Sequence, residues 1–137
     1  MAPAGFTLLE LLLTLLLLAI LAVIATPQWP SSLLLAAQAE QVAQDLRYTQ
    51  ALAMQRQQDY SIQSTNEHYY TIRAADNQTI PEPPPDLSHG VAIDSFSCTF
   101  QASSGIPNTA TQIHLHLAEQ TVTLQVSALT GTVTLLP

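Results

Sequence analysis

The chain has 137 residues and a formal net charge of −7, with ten acidic residues, no lysine and only Arg47, Arg56 and Arg73 as fixed cations. That balance argues against a nucleic-acid partner, whose phosphates are held by clustered Lys and Arg. The one cysteine, Cys98, excludes an intramolecular disulfide, and the length allows one domain with a modest core.

The first element is the block "MAPAGFTLLELLLTLLLLAILAVIATPQWP". From Phe6 to Trp29 it offers about 24 residues, a helix of about 36 Å, which suffices to cross a hydrocarbon core of roughly 30 Å. Trp29 falls where an interfacial aromatic anchors such a span. A cleaved secretory signal ending near Val23-Ile24-Ala25 is the alternative, but the apolar stretch is long for one and no basic residue precedes it. Glu10 interrupts the run. A carboxylate in a membrane helix costs on the order of 2.5–3.5 kcal/mol at the bilayer centre, so it calls for a partner. Cleavage after Gly5 would free an α-amine on Phe6, and a neighbouring copy or partner subunit could present that amine to Glu10. The other reading keeps the carboxylate near the headgroups, or protonated.

Gly5 to Glu10, "GFTLLE", followed by the apolar run, resembles the processing signal of type IV pilins and type II secretion pseudopilins. The resemblance implies that a prepilin peptidase cuts between Gly5 and Phe6 and methylates Phe6, and that Glu10 acts in subunit assembly. Pro27 matches the proline often found at this distance; it removes a backbone donor and kinks the helix near the membrane exit. The leader "MAPAG" departs from the pattern in having no basic residue. The implied organisation is a leader (1–5), a transmembrane half-helix (6–29), an amphipathic half-helix (31–58) and a β-rich globular domain (59–137). The implied location is the bacterial inner membrane, crossed once with the globular domain in the periplasm, and then a filament. The implied partners are the peptidase, other pilins or pseudopilins and an inner-membrane assembly platform.

After Pro30 the helical period continues through Leu35, Ala39, Val42, Leu46 and Ala53, a stripe expected to face the domain's own sheet. Ser31 or Ser32 is the expected cap, and the helix is expected to end near Gln58 and Asp59. Arg47 and Arg56, nine residues apart, lie on opposite sides and form no basic patch. The period then changes to two. Tyr60 and Ile62, and Tyr70 and Ile72, predict a hairpin turning at Asn66 and Glu67. The proline-rich segment 79–90 cannot continue a ladder and reads as a surface loop. Val91 and Ile93 share one parity while Phe96, Cys98 and Phe100 share the other, so the register shifts near Asp94 and Ser95. Cys98 reads as a small core residue. Ile113, Leu115 and Leu117, then Val122, Leu124 and Val126, then Val133 and Leu135 after Gly131, predict a three-stranded antiparallel meander. His114 and His116 share its outward face, but two ligands without a third are a weak metal signal.

The fold class is therefore α+β: a long amino-terminal helix packed on a carboxyl-terminal antiparallel sheet domain, as in pilins. The segment "LRYTQALAMQRQ", Leu46 to Gln57, and the closing hairpin with Thr130-Gly131 resemble the minor pseudopilin H and FimT group. Some FimT members receive DNA through basic residues near the carboxyl terminus. This chain has no Lys or Arg after Arg73, so that role does not carry over. The expected function is a minor pilin or pseudopilin, without cofactor, metal or catalysis. The alternative is a tip adhesin or uptake receptor using the proline-rich loop or the histidine face. A Cys98–His nucleophilic pair is the only enzymatic constellation, and no third group orients it.

Overall fold

The computed structural model describes residues 7–24, 30–76, 78, 80, 86–87 and 90–136. Two helices, α1 (Leu8–Ile24) and α2 (Ser31–Arg56), precede seven strands. These are β1 (Tyr60–Asn66), β2 (Tyr69–Ala74), β3 (Ala92–Ile93), β4 (Ser97–Phe100), β5 (Thr111–Leu117), β6 (Gln120–Val126) and β7 (Val133–Leu136). α1 covers 17 residues, about 26 Å at 1.5 Å per residue. Among the described residues no helix is long and apolar enough to cross a membrane. The span expected over 6–29 includes positions outside the described residues, Gly5, Phe6, Pro27 and Trp29 are among those undescribed, and so is the kink expected at Pro27.

α2 forms because good helix formers place Leu35, Ala39, Val42, Ala43, Leu46, Thr49, Leu52 and Ala53 on one side, and all eight are buried. Every member of the expected stripe is among them. The cap differs from expectation: Pro30 occupies it with no side-chain hydrogen bond, and its carbonyl accepts from Leu33 N at 3.0 Å and Leu34 N at 3.3 Å. Proline fixes φ near the value an extended cap needs, so both serines fall inside the helix. At the other end Gln57 takes a left-handed conformation (φ 52) and its N–H reaches Ala53 O, which stops the helix short of Gln58 and Asp59.

The strands form two antiparallel sheets, one ordered β2-β1-β4 and the other β3-β5-β6-β7. α2 lies against β1 and β4 of the first and β5, β6 and β7 of the second, so the core sits between the helix and both sheets. In the first hairpin Ile62 pairs with Ile72 and Tyr60 with Ala74, as the alternation predicts. Its turn is Glu67-His68, one residue later than expected. Asn66 ends β1 instead, and its Oδ1 accepts from His68 N at 2.8 Å. The meander β5-β6-β7 has the expected order, and β3 adds an outer strand beside β5.

The parity break at Asp94 and Ser95 is a change of sheet. Val91 and Ile93 point into the core from the β3 side, and after Ser95 the chain enters β4 in the other sheet, where Phe96, Cys98 and Phe100 are buried. Ile93 N donates to Glu67 O at 2.7 Å, Asp94 N to His114 O at 3.0 Å, and Ser64 N to Phe96 O at 3.0 Å. The crossing thus satisfies its backbone groups against both sheets. Most of the proline-rich segment lies outside the described residues. Leu87, expected on a surface loop, is instead buried, with its N–H on His68 O at 3.1 Å. A lone leucine just after a run of prolines has no period to reveal that it folds back.

Candidate assembly site

Two regions stand out, one that the fold leaves uncovered and one where it ties the helix to the sheets. The first is α1. Each residue from Thr7 to Ala22 is exposed, including Leu8, Leu12, Leu16 and Ile20, so among the described residues this apolar helix has no buried face. A helix apolar all round belongs in a membrane or among other apolar helices. Thr7 starts it: Glu10 N donates to Thr7 O at 3.0 Å and to Thr7 Oγ1 at 3.3 Å, and Leu11 N donates to Thr7 O at 3.1 Å. Thr7 and Glu10 have the threonine-x-x-glutamate spacing of a capping box, which places a carboxylate in the first turn where the helix dipole favours it. Thr14 Oγ1 donates to Leu11 O at 2.8 Å, so the other polar side chain of the run is satisfied within the helix. Glu10 is exposed, and among the described residues no ion pair involves it.

The second region is where α2 meets the ends of the sheets. Gln50 Nε2 donates to Gly105 O at 2.8 Å and to Thr130 O at 3.1 Å, tying the helix to two turns distant in sequence. Both turns need glycine: Gly105 has φ +66 and Gly131 φ +70, and a Cβ on Gly131 would collide with the Gln50 amide. The "LRYTQALAMQRQ" segment and the Thr130-Gly131 turn are thereby in direct contact, a contact that reading the sequence missed. A glutamine in a helix resembles any solvated residue until its partners are placed.

Lower on α2, Tyr70 donates to Asp45 Oδ2 at 2.6 Å, joining the helix to β2. Burial pushes the Asp45 carboxyl above its ordinary value and the Tyr70 bond partly offsets this. The Tyr70 hydroxyl is pushed well up, by burial first and then by Asp45. Arg47 pairs with Glu40 at 3.0 Å on the exposed face. Such pairs contribute little to stability.

The histidine face is built across the β5–β6 ladder. His114 Nδ1 meets Thr123 Oγ1 at 2.9 Å, His116 Nδ1 meets Thr121 Oγ1 at 3.0 Å, and His116 Nε2 meets Asp94 Oδ1 at 3.1 Å. The two threonines are the cross-strand partners of these histidines in the register, and Asp94 lies just after β3. Among the described residues no group of three metal-ligating side chains comes together. Cys98 is fully buried, and burial pushes its thiol up, which opposes nucleophilic use.

Residues 1–26 match the family model of the prokaryotic N-terminal methylation motif. No curated protein sequence matches the chain. Among solved structures it is similar to the type IV minor pilin FimU of Pseudomonas aeruginosa, with a TM-score of 0.59 and 19% identity, covering 75% of this chain and 93% of that one. An amino-terminal methylation motif carried on the fold of a type IV minor pilin marks the chain as pilin-like.

Proposed function

We propose that the chain is a prepilin, cut between Gly5 and Phe6, methylated on Phe6 and built into a type IV-class filament as a minor subunit. The observation that carries this reading is the methylation motif at residues 1–26, which contains the exposed apolar helix α1, on a pilin-like fold. Before assembly α1 is held in the inner membrane with the globular domain in the periplasm; afterwards neighbouring subunits cover it. Moving α1 from lipid to protein changes little in apolar burial, so packing and polar contacts decide the transfer. Glu10 supplies the polar contact: its carboxylate pairs with the Phe6 amine of an adjacent subunit. At about 4 Å such a pair is worth on the order of 4 kcal/mol at intermediate dielectric, before desolvation is subtracted. Pro27, without a backbone donor, lets the stem bend at the membrane exit. The peptidase, other pilins and a membrane assembly platform are the partners this scheme requires.

The test is the intact mass and first residue of the protein recovered from membranes of cells containing a prepilin peptidase. A chain beginning at methylated Phe6 is expected, and a chain beginning near Thr26 refutes the proposal. Gly5→Leu should block processing, whereas Glu10→Ala should leave it intact and impair incorporation.

A further inference from the structure

Where α2 ends, the chain walls off a small polar cavity. After the left-handed turn at Gln57 the chain enters β1 at Tyr60, and Tyr60 pairs with Ala74, the last residue of β2. Beyond Ala74 the chain folds back beside β2: Ala74 N donates to Gln78 O at 2.9 Å and Ile80 N to Ile72 O at 3.4 Å. Between the helix end, the β1–β2 pair and this returning segment lies a cavity of about 160 Å³, with Arg56, Tyr60 and Asp76 in its lining. At about 30 Å³ per water it has the space of about five waters, room for a solute of roughly five to eight non-hydrogen atoms.

Three side chains of this lining are unspent. Tyr60 is only 3% exposed, yet among the described residues its hydroxyl has no hydrogen-bond partner, where a buried tyrosine ordinarily has one. Nor is that hydroxyl sealed from solvent, so it opens on the cavity that the side chain lines. Arg56 and Asp76 share the cavity without pairing with each other, and among the described residues neither has another ion-pair partner. Asp76 is fixed in place because its Oδ1 accepts from Gln78 N at 3.1 Å, a bond that leaves Oδ2. The nearby carboxylate of Asp59 is not in the lining; its Oδ1 accepts from Ala102 N at 2.7 Å. One cation, one anion and one buried hydroxyl therefore face a single small space.

We propose that this cavity binds a free α-amino acid with a short side chain. The carboxylate of the ligand pairs with Arg56, its ammonium with Asp76, and the Tyr60 hydroxyl completes the hydrogen bonding. The carbonyl end of α2 adds partial negative charge that also favours the ammonium. The charge pattern selects this class: a simple anion or cation leaves one of the two opposite groups unanswered, whereas a molecule carrying both charges on one carbon answers both. Such a molecule is neutral overall, so a protein of net charge −7 does not repel it. A peptide end carries only one of the two charges, and the volume holds no long side chain; Ala74 and Ile80 offer a short one apolar contact. The cavity lies about 39 Å along α2 from its start, remote from α1, and the inference does not depend on the filament reading.

The experiment is a nuclear magnetic resonance titration of the full chain in detergent with L-alanine, and with acetate and methylammonium as probes that carry one charge each. L-Alanine should shift the backbone amides of Gln58, Tyr60, Ala74, Asp76 and Gln78 along one saturating curve, and each single-charge probe should bind at least about tenfold more weakly. Arg56→Gln and Asp76→Asn should each weaken L-alanine binding about tenfold or more. Tyr60→Phe should weaken it too while leaving the urea midpoint unchanged, because the hydroxyl has no bond among the described residues to lose. A lowered midpoint in Tyr60→Phe would show that the hydroxyl is already spent and would overturn the assignment. So would the absence of saturable shifts with L-alanine at millimolar concentrations, or binding that Arg56→Gln or Asp76→Asn leaves unchanged. Acetate binding as tightly as L-alanine would mean a carboxylate site and overturn the amino-acid class.

Discussion

Gly131→Ala and Gln50→Ala should be strongly non-additive. Alanine at φ +70 costs about 1–2 kcal/mol through its Cβ alone. That Cβ also lies in the place of the Gln50 amide, 3.1 Å from Gln50 Cδ and 3.0 Å from Gly105 O, so the glutamine must withdraw. Withdrawal loses the bonds to Gly105 O and Thr130 O, at about 1 kcal/mol each. Gly131→Ala should therefore cost about 3–4 kcal/mol and Gln50→Ala about 2 kcal/mol. With Gln50 already truncated, Gly131→Ala meets no amide and should cost only about 1–2 kcal/mol, leaving a coupling of about 2 kcal/mol. The assay is urea unfolding of the four proteins in detergent, followed by far-ultraviolet circular dichroism, with midpoints compared at unchanged slope. Single effects that sum in the double variant to within about 0.5 kcal/mol would refute the idea that Gln50 holds this turn.

The Asp45–Tyr70 pair predicts a pH dependence. The folded Asp45 carboxyl binds its proton more tightly than the unfolded one, with its ordinary value of 3.8, so this group's contribution to stability falls as pH rises from about 4 through the raised pKa. Asp45→Asn should flatten that fall in urea midpoints taken across the acidic range. Tyr70→Phe, which strips the half-buried carboxylate of a 2.6 Å donor, should cost about 1.5–3 kcal/mol at pH 7 and less at pH 4. Cys98 should resist thiol reagents in the folded protein and react at the rate of global unfolding, measured by mass shift over a urea series. Leu46→Ala should lower stability by about 2–5 kcal/mol, while Leu33→Ala, at a position 58% exposed, should stay within about 0.5 kcal/mol by the same measurement.

Periodicity was a reliable guide wherever one face of an element is buried and the other wet. The stripe of α2, the Tyr60–Ile72 hairpin and the β5–β7 meander all meet that condition, so their register could be read from hydrophobic alternation alone. It was silent where long-range pairing decides. Val91 to Phe100 shows a broken parity in the sequence, and nothing local distinguishes a bulge from a step between sheets. Leu87 and Gln50 were missed for a related reason, because the role of each is fixed by a carbonyl that the chain brings back from a distance: His68 O for one, Gly105 O and Thr130 O for the other. The amino-terminal site was legible as a motif, since its chemistry is consecutive in sequence. Its role depends on other molecules, which no single chain contains.

Glu10 itself has two physical roles that a single alanine substitution confounds. As the third helical residue after Thr7 it has the spacing of a capping box and donates its N–H to Thr7 Oγ1, and as a carboxylate in an apolar run it is the only carboxylate of α1 able to pair with an amine. Glu10→Ala removes both. Glutamine serves a capping box as well as glutamate does, so Glu10→Gln keeps the helix start and removes only the charge. Thr7→Ala does the reverse: it deletes the 3.3 Å bond from Glu10 N, at a cost of about 1 kcal/mol to the first turn, and leaves the carboxylate in place. If pairing drives assembly, Glu10→Gln should be processed normally yet fail to enter filaments, while Thr7→Ala should be processed and incorporated. Incorporation is read from the fraction of the protein in sheared filaments against that in membranes. Normal incorporation of Glu10→Gln together with loss in Thr7→Ala would mean that the helix start, and not the charge, is what assembly requires.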